Sequence, residues 1–86
     1  MIRYTVLWRQ DVEGELATFW SASPNRQKIT AAADRIDEEL RIDADQKGIG
    51  LREGLKSLTC LPLTAYFHVD EADRKVFVEA IRLSED

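Results

Sequence analysis

A small set of side chains in this sequence could carry acid–base or phosphate chemistry, and it includes the only histidine, His68. Histidine titrates near neutral pH, a glutamate can accept a proton, and Lys or Arg can stabilise a negatively charged phosphate. A tyrosine ring can stack on an unpaired base. The candidate acid–base residues are therefore His68 and Glu79, and the candidate target-binding residues are Arg52, Lys56, Tyr66 and Arg82.

The stretch that contains His68 alternates between apolar and polar residues, which is typical of a β-strand. The residues at 63, 65, 67 and 69 are apolar, and they predict the face that packs against the core. Tyr66 and His68 would then lie on the opposite face. In the following strand, the same alternation places Val76, Val78 and Ala80 on the core side and Lys75, Phe77, Glu79 and Ile81 outside.

Two interpretations of this outward face remain open. In the first, His68, Glu79 and nearby cations form an acid–base site on RNA, and Tyr66 and Phe77 stack on bases. In the second, an exposed sheet face simply carries amphipathic residues. No glycine-rich phosphate loop, Ser–His–Asp arrangement or metal-ligand cluster accompanies His68 in the sequence.

Length and composition indicate one small globular domain, residues 1–86. The net charge of −4 argues against an autonomous nucleic-acid binder, which usually carries a basic surface. The single cysteine, Cys60, excludes an internal disulfide and a multi-cysteine zinc site, and we expect neither a metal nor a cofactor. No apolar run approaches the roughly 18 residues of a membrane span, and no signal peptide is recognisable, so the expected location is the cytoplasm.

Two amphipathic helices are predicted after a first strand at residues 2–8. In the first helix, the residues at 12, 16, 19 and 20 form one apolar stripe, and Asp11 is the expected N-cap. The second helix is expected to begin at an N-cap Ser23 followed by Pro24 and to end near Gly48. Its predicted buried stripe consists of Ile29, Ala32, Ala33, Ile36 and Leu40.

Three strands are predicted after the helices. Residues 51–61 form a strand that Gly54 interrupts, residues 61–69 and 75–83 form a hairpin, and residues 84–86 are a polar tail. The order β-α-α-β-β-β predicts an α+β two-layer sandwich, with a helical hairpin on a mostly antiparallel four-stranded sheet. The first strand is expected to pair with the last, and function is expected on the uncovered face of the sheet.

The order of elements and several short stretches resemble the RelE/ParE superfamily of small bacterial toxins. YTVLW resembles the opening strand of that family, VEGELATFW its first helix and AADRIDEEL its second. GLKSLTCLPLTAYFHVDEADRKVFVEAI resembles its closing meander, in which a Leu-basic-x-Leu strand leads into an apolar strand, an acidic turn and a Val-rich strand. The resemblance covers nearly the whole chain.

This resemblance implies a cytoplasmic toxin that a cognate antitoxin neutralises. RelE-like members cut mRNA in the ribosomal A site, whereas ParE-like members poison DNA gyrase without nuclease chemistry. Lys56 matches the basic position of the second-strand motif, but Thr64 replaces an expected arginine and His68 stands where Arg is frequent. In the final stretch RLSED, Arg82 is the only basic residue.

The resemblance leaves three alternatives. The first is the toxin of a type II toxin–antitoxin system, or a non-catalytic relative, that binds a protein partner such as an antitoxin or gyrase. The second is a ribosome-dependent mRNA endonuclease in which His68 or Glu79 is the acid or base, Lys56 and Arg82 contact phosphate, and Tyr66 stacks on a base. The third is a housekeeping domain with a coincidental pattern. The small number of basic residues favours the first alternative, a toxin or non-catalytic relative that binds a protein. A homodimer is compatible with all three alternatives.

Overall fold

The helices and strands follow one another in the order β-α-α-β-β-β-β in a computed structural model, which describes residues 1–84. Their bounds are β1 Thr5–Trp8, α1 Gln10–Ala22, α2 Arg26–Leu40, β2 Ile49–Arg52, β3 Leu55–Cys60, β4 Leu63–Asp70 and β5 Lys75–Leu83. No helix among these residues is long and apolar enough to cross a membrane. Of the predicted polar tail at 84–86, positions 85 and 86 lie outside the described residues.

All five strands form one sheet in the order β1-β5-β4-β3-β2. β1 runs parallel to β5, and the other neighbouring pairs are antiparallel, which confirms the predicted α+β sandwich and the pairing of the first strand with the last. The sheet has five strands rather than four because the segment predicted as one strand turns back at Glu53 and Gly54. Gly54 has a φ of +80°, a left-handed conformation that glycine adopts without strain.

The expected N-caps of both helices are wrong. α1 begins one residue before Asp11, whose carboxylate lies 3.3 Å from the Arg9 guanidinium in the first turn. α2 begins three residues after Ser23, whose hydroxyl instead accepts a hydrogen bond of 2.9 Å from the Asn25 backbone N–H. The connection between the helices is therefore a turn closed by a side chain, and residues 23–25 all precede α2.

The segment after α2 lies along the start of the chain. α2 ends at Leu40 rather than near Gly48, and a 3-10 turn, Ala44–Gln46, follows it. The Asp43 backbone N–H donates to the Ile2 carbonyl at 2.7 Å. This segment therefore covers one end of the sheet edge that β1 forms.

The core lies between the two helices and one face of the sheet. α1 contacts β5, and α2 contacts β3 and β4. The predicted stripe of α2 is confirmed, since Ile29, Ile36 and Leu40 are fully buried, but in α1 Val12 is buried while Trp20 is 42% exposed. The sheet contributes the buried side chains of Leu63, Ala65, Phe67, Val76, Val78 and Ile81.

A bulge in β5 reverses the alternation of its second half. Tyr66 pairs with Ala80, but the next residue on β4, Phe67, pairs with Val78, so Glu79 has no partner across the sheet. An extra residue in one strand moves the following side chains to opposite faces. Ile81 is consequently buried and Ala80 exposed, which is the reverse of the predicted alternation.

Candidate functional site

The sheet face opposite the helices, called the open face below, contains His68 and Tyr66. Directly opposite residues of an antiparallel pair point to the same side of the sheet. Tyr66 lies between Ser57 on β3 and Ala80 on β5, and His68 is opposite Phe77. Both alternate along β4 with buried core residues, so they face away from the helices. The same pairing assigns to the open face Leu7, Ser57, Thr59, Thr64, Tyr66, His68, Phe77, Ala80 and Arg82.

The His68 ring is held by the turn between β2 and β3. Its Nδ1 atom lies 3.0 Å from the Gly54 carbonyl oxygen. Because a carbonyl oxygen only accepts hydrogen bonds, Nδ1 carries the proton, and Nε2 of the neutral ring keeps a lone pair. The Phe77 ring lies beside it, with 6.1 Å between ring centroids. This arrangement fixes the tautomer and leaves one nitrogen as a potential base.

A cleft of about 420 Å³ opens beside His68, between the β2–β3 turn and the end of β4. Arg52 lines this cleft, as does Gly54. Three carboxylate residues and two basic residues contribute to its lining, namely Asp45, Asp70, Glu71, Arg52 and Lys56. Acidic groups therefore outnumber basic ones next to the potential base, which disfavours an anionic ligand such as phosphate.

Lys56 lies on the helix side of the sheet and not on the open face. It is directly opposite Phe67, which is fully buried. The Lys56 ammonium donates a hydrogen bond of 2.6 Å to the Asp45 carbonyl oxygen and lies 6.0 Å from the centre of the Phe67 ring. The cation expected at the family's second-strand position therefore makes a bond within the fold.

Arg82 and Glu79 do not converge on His68. Arg82 is exposed and lies opposite Thr64, four residues before His68 along β4. At the rise of a β-strand, that separation is about 13 Å. Glu79 is the exposed bulge residue of β5 and has no partner on β4. The structure therefore places Arg82 four residues along the sheet from His68 rather than beside it.

Two features of the site were missed by sequence reasoning. One is the Gly54 carbonyl that orients His68. The other is the presence of Asp45 in the cleft lining, where its carbonyl oxygen accepts a hydrogen bond from Lys56 and its carboxylate accepts one from the Tyr4 hydroxyl. Gly54 interrupts a strand pattern, and a short loop that contains glycine between two strand-like runs is also consistent with a hairpin. Nothing in the local sequence indicates that Asp45 contacts Lys56 of β3, because that contact depends on the path of the chain after α2.

Other chemistry is not assembled within the described part of the chain. Among residues 1–84, no three His, Cys, Asp or Glu side chains are placed to hold a metal ion. Cys60 is half-buried on the helix side, opposite Leu63, and burial raises the pKa of its thiol. The site therefore offers an oriented imidazole and an open face with aromatic rings, hydroxyl groups and a distant arginine.

Several solved structures are similar to this chain over nearly its full length. The toxin–antitoxin complex RelBE2 from Mycobacterium tuberculosis is 19% identical, with a TM-score of 0.80 and coverage of 100% of this chain and 97% of that chain. The chromosomal ParDE system from P. aeruginosa is 19% identical, with a TM-score of 0.69 and coverage of 96% and 98%. The isolated RelE toxin from E. coli is 15% identical, with a TM-score of 0.59 and coverage of 96% and 86%.

These similarities define the class of fold. No protein-family model and no curated protein matches the sequence. The order of elements, the mixed sheet and the helical layer nevertheless superimpose over whole chains on the RelBE2 and ParDE structures. The chain has the RelE/ParE toxin fold, and this confirms the fold that the sequence resemblance implied.

Proposed function

We propose that this protein is a toxin of a type II toxin–antitoxin system, or a non-catalytic relative, that acts by binding a protein partner. The position of Lys56 carries the proposal, because its ammonium is bonded to the Asp45 carbonyl on the helix side of the sheet. Cleavage of RNA requires positive groups next to the reacting phosphate, where negative charge develops. The acidic lining of the cleft beside His68 supports binding without cleavage.

We infer that the partner is an antitoxin that covers the open face in the cytoplasm. The RelBE2 structure is a toxin–antitoxin complex, and ParDE is a toxin–antitoxin system. The open face presents Leu7, which is 39% exposed, together with the half-buried rings of Tyr66 and Phe77 and the exposed Ala80. Apolar and aromatic groups of this kind form the centre of protein interfaces. A gyrase-type protein is the proposed target when the antitoxin is absent.

Expression with and without the neighbouring short gene tests the toxin function. We expect growth arrest that the neighbouring product relieves, and we expect the two proteins to co-purify. Ala80→Arg places a bulky cation beside Tyr66 and should abolish arrest or co-purification. Gly14→Arg, at an exposed position on α1, is the matched control and should preserve both. A wild-type protein that neither arrests growth nor binds the neighbouring product would contradict the proposal.

A ribosome-dependent mRNA endonuclease is the second candidate, and the tethered ring of His68 favours it. An imidazole whose Nδ1 donates to a backbone carbonyl presents Nε2 as a positioned base. In vitro translation with purified ribosomes distinguishes the candidates. The binding proposal expects no codon-specific mRNA cleavage and an unchanged growth arrest for His68→Ala. Cleavage by the wild type that His68→Ala abolishes would establish the endonuclease instead.

A further inference from the structure

The outer side of β2 has no neighbouring strand among residues 1–84. All four of its residues are exposed, including Ile49 at 71% and Leu51 at 51%. The opposite edge strand, β1, has two half-buried residues and is flanked by the segment after α2. The pairing of β2 with β3 skips Leu51, which is the extra residue of a bulge and has no partner on β3. An uncovered strand edge with apolar side chains is a template for pairing with another strand.

We propose that β2 pairs antiparallel with β2 of a second copy, in a register centred on Gly50, so that the chain forms a homodimer. In this register, Ile49 of each copy lies opposite Leu51 of the other. Lys47 and Glu53 flank β2 at its two ends, so the Lys47 of one copy comes near the Glu53 of the other just beyond the paired residues. Apolar pairs and pairs of opposite charge both stabilise neighbouring strands. A shift of one or two residues in either direction places at least one of the two apolar side chains opposite a glycine or a charged residue.

The self-complementary sequence of this edge selects a second copy as the occupant. An antiparallel pair related by two-fold symmetry places each position opposite its mirror position in the partner. In the sequence KGIGLRE, the apolar Ile49 and Leu51 are at mirror positions on either side of Gly50. The basic Lys47 and the acidic Glu53 are at mirror positions further out. Lys47 also lies 2.9 Å from Glu39 within its own chain, and this contact holds the start of the edge in place.

Such a dimer would join the two five-stranded sheets into one continuous sheet. The two-fold axis is normal to the sheet, so both open faces lie on the same side and both helical layers on the other. Five strand spacings and a small offset along the strands separate the two His68 residues, which gives a distance of about 25 Å. The homodimer does not rest on the proposed toxin function, because it follows from the edge strand alone.

Gly50 provides a direct test, because it lies opposite itself in the proposed register. A Cβ atom at Gly50 has no neighbour within 4 Å, so a side chain fits in the monomer. Gly50→Asp and Gly50→Lys each place two like charges opposite one another across the dimer axis. Within one copy, position 50 lies opposite Lys56, so the two variants have opposite effects on the monomer and the same effect on the dimer. Gly14, on the exposed side of α1, also has nothing within 4 Å of a Cβ atom, so Gly14→Asp is the matched control.

Sedimentation velocity over a wide concentration range measures the association. We expect the sedimentation coefficient of the wild type and of Gly14→Asp to rise with concentration to that of a dimer. Gly50→Asp or Gly50→Lys alone should raise Kd at least tenfold, and an equimolar mixture of the two should recover wild-type association. A wild type that stays monomeric, a Gly50→Asp variant that dimerises normally, or a mixture that shows no recovery would overturn the proposal.

Discussion

Gly48 occupies a position where the fold excludes a side chain. Its φ is +72°, and a Cβ atom there would collide with the Ser57 carbonyl of β3. Gly48→Ala should therefore lower the free energy of unfolding by about 2 kcal/mol or more. The control Gly14→Ala, in an open part of α1, should raise it by up to about 1 kcal/mol. Urea denaturation compares the two, and equal effects would contradict the close approach at Gly48.

The bond between Lys56 and the Asp45 carbonyl gives a second test at the residue scale. Lys56→Met keeps most of the apolar stem and removes the ammonium, so it should lower the free energy of unfolding by about 1–2 kcal/mol. Because the ammonium faces the helix side, this change should leave partner binding and growth arrest intact at a temperature where the variant is folded. Lys75→Met, at an exposed position on β5, should change stability little. Loss of arrest in a folded Lys56→Met variant would place Lys56 in the functional site.

At the scale of elements, the sequence predicts which side of a helix or strand is buried, but it does not predict how neighbouring strands pair. The stripe of α2 and the outward direction of Tyr66 and His68 follow from periodicity, because one side of each element must be buried. The bulge at Glu79 and the hairpin at Gly54 depend on how neighbouring strands align, and periodicity within one strand carries no information on register. The face of Lys56, by contrast, follows from periodicity, because Lys56 alternates in phase with Leu58 and Cys60, which pack against the core.

The ion pair between Glu39 and Lys47 connects the end of α2 to the segment before β2. The two side chains are 2.9 Å apart, and the hydrogen bond and charge of Lys47 lower the pKa of the Glu39 carboxyl from its ordinary value of 4.5. A lowered pKa in the folded state stabilises the fold above pH 4.5, and this contribution is lost as the pH falls through the lower folded-state pKa. Both groups are partly exposed, so solvent limits the contribution to about 1 kcal/mol or less.

This pair predicts a pH-dependent difference between variants. Glu39→Gln should be less stable than the wild type at pH 7, and the difference should shrink as the wild-type carboxyl becomes protonated. Glu38→Gln, at the exposed neighbouring position, is the control and should show a smaller pH-dependent difference. Thermal unfolding between neutral and acidic pH measures both, and a Glu39→Gln deficit that persists at the acidic end would exclude the ion pair as its cause.

At the scale of the whole molecule, one face of the sheet contributes to stability and the other is free for recognition. The helices bury one face of the sheet, and the other face is left with aromatic and hydroxyl side chains and few cations. The chain also has a net charge of −4, which weakens the attraction of any polyanion at a distance. A fold shared with RelE is thus combined here with electrostatics that disfavour RNA.

This combination predicts that the missing cations, and not the shape of the open face, limit the affinity for RNA. Ser57 and Ala80 flank Tyr66, so the double variant Ser57→Lys, Ala80→Lys places two cations beside a half-buried ring. We expect it to bind a single-stranded oligonucleotide more tightly than the wild type, with a salt dependence steeper by about 1.4 in the log–log slope if both lysines contact phosphate. The double variant Gln27→Lys, Thr30→Lys adds the same charge to exposed positions of α2 and should gain far less. Fluorescence anisotropy over a series of salt concentrations measures both slopes, and equal gains for the two variants would show that the open face has no special access to nucleic acid.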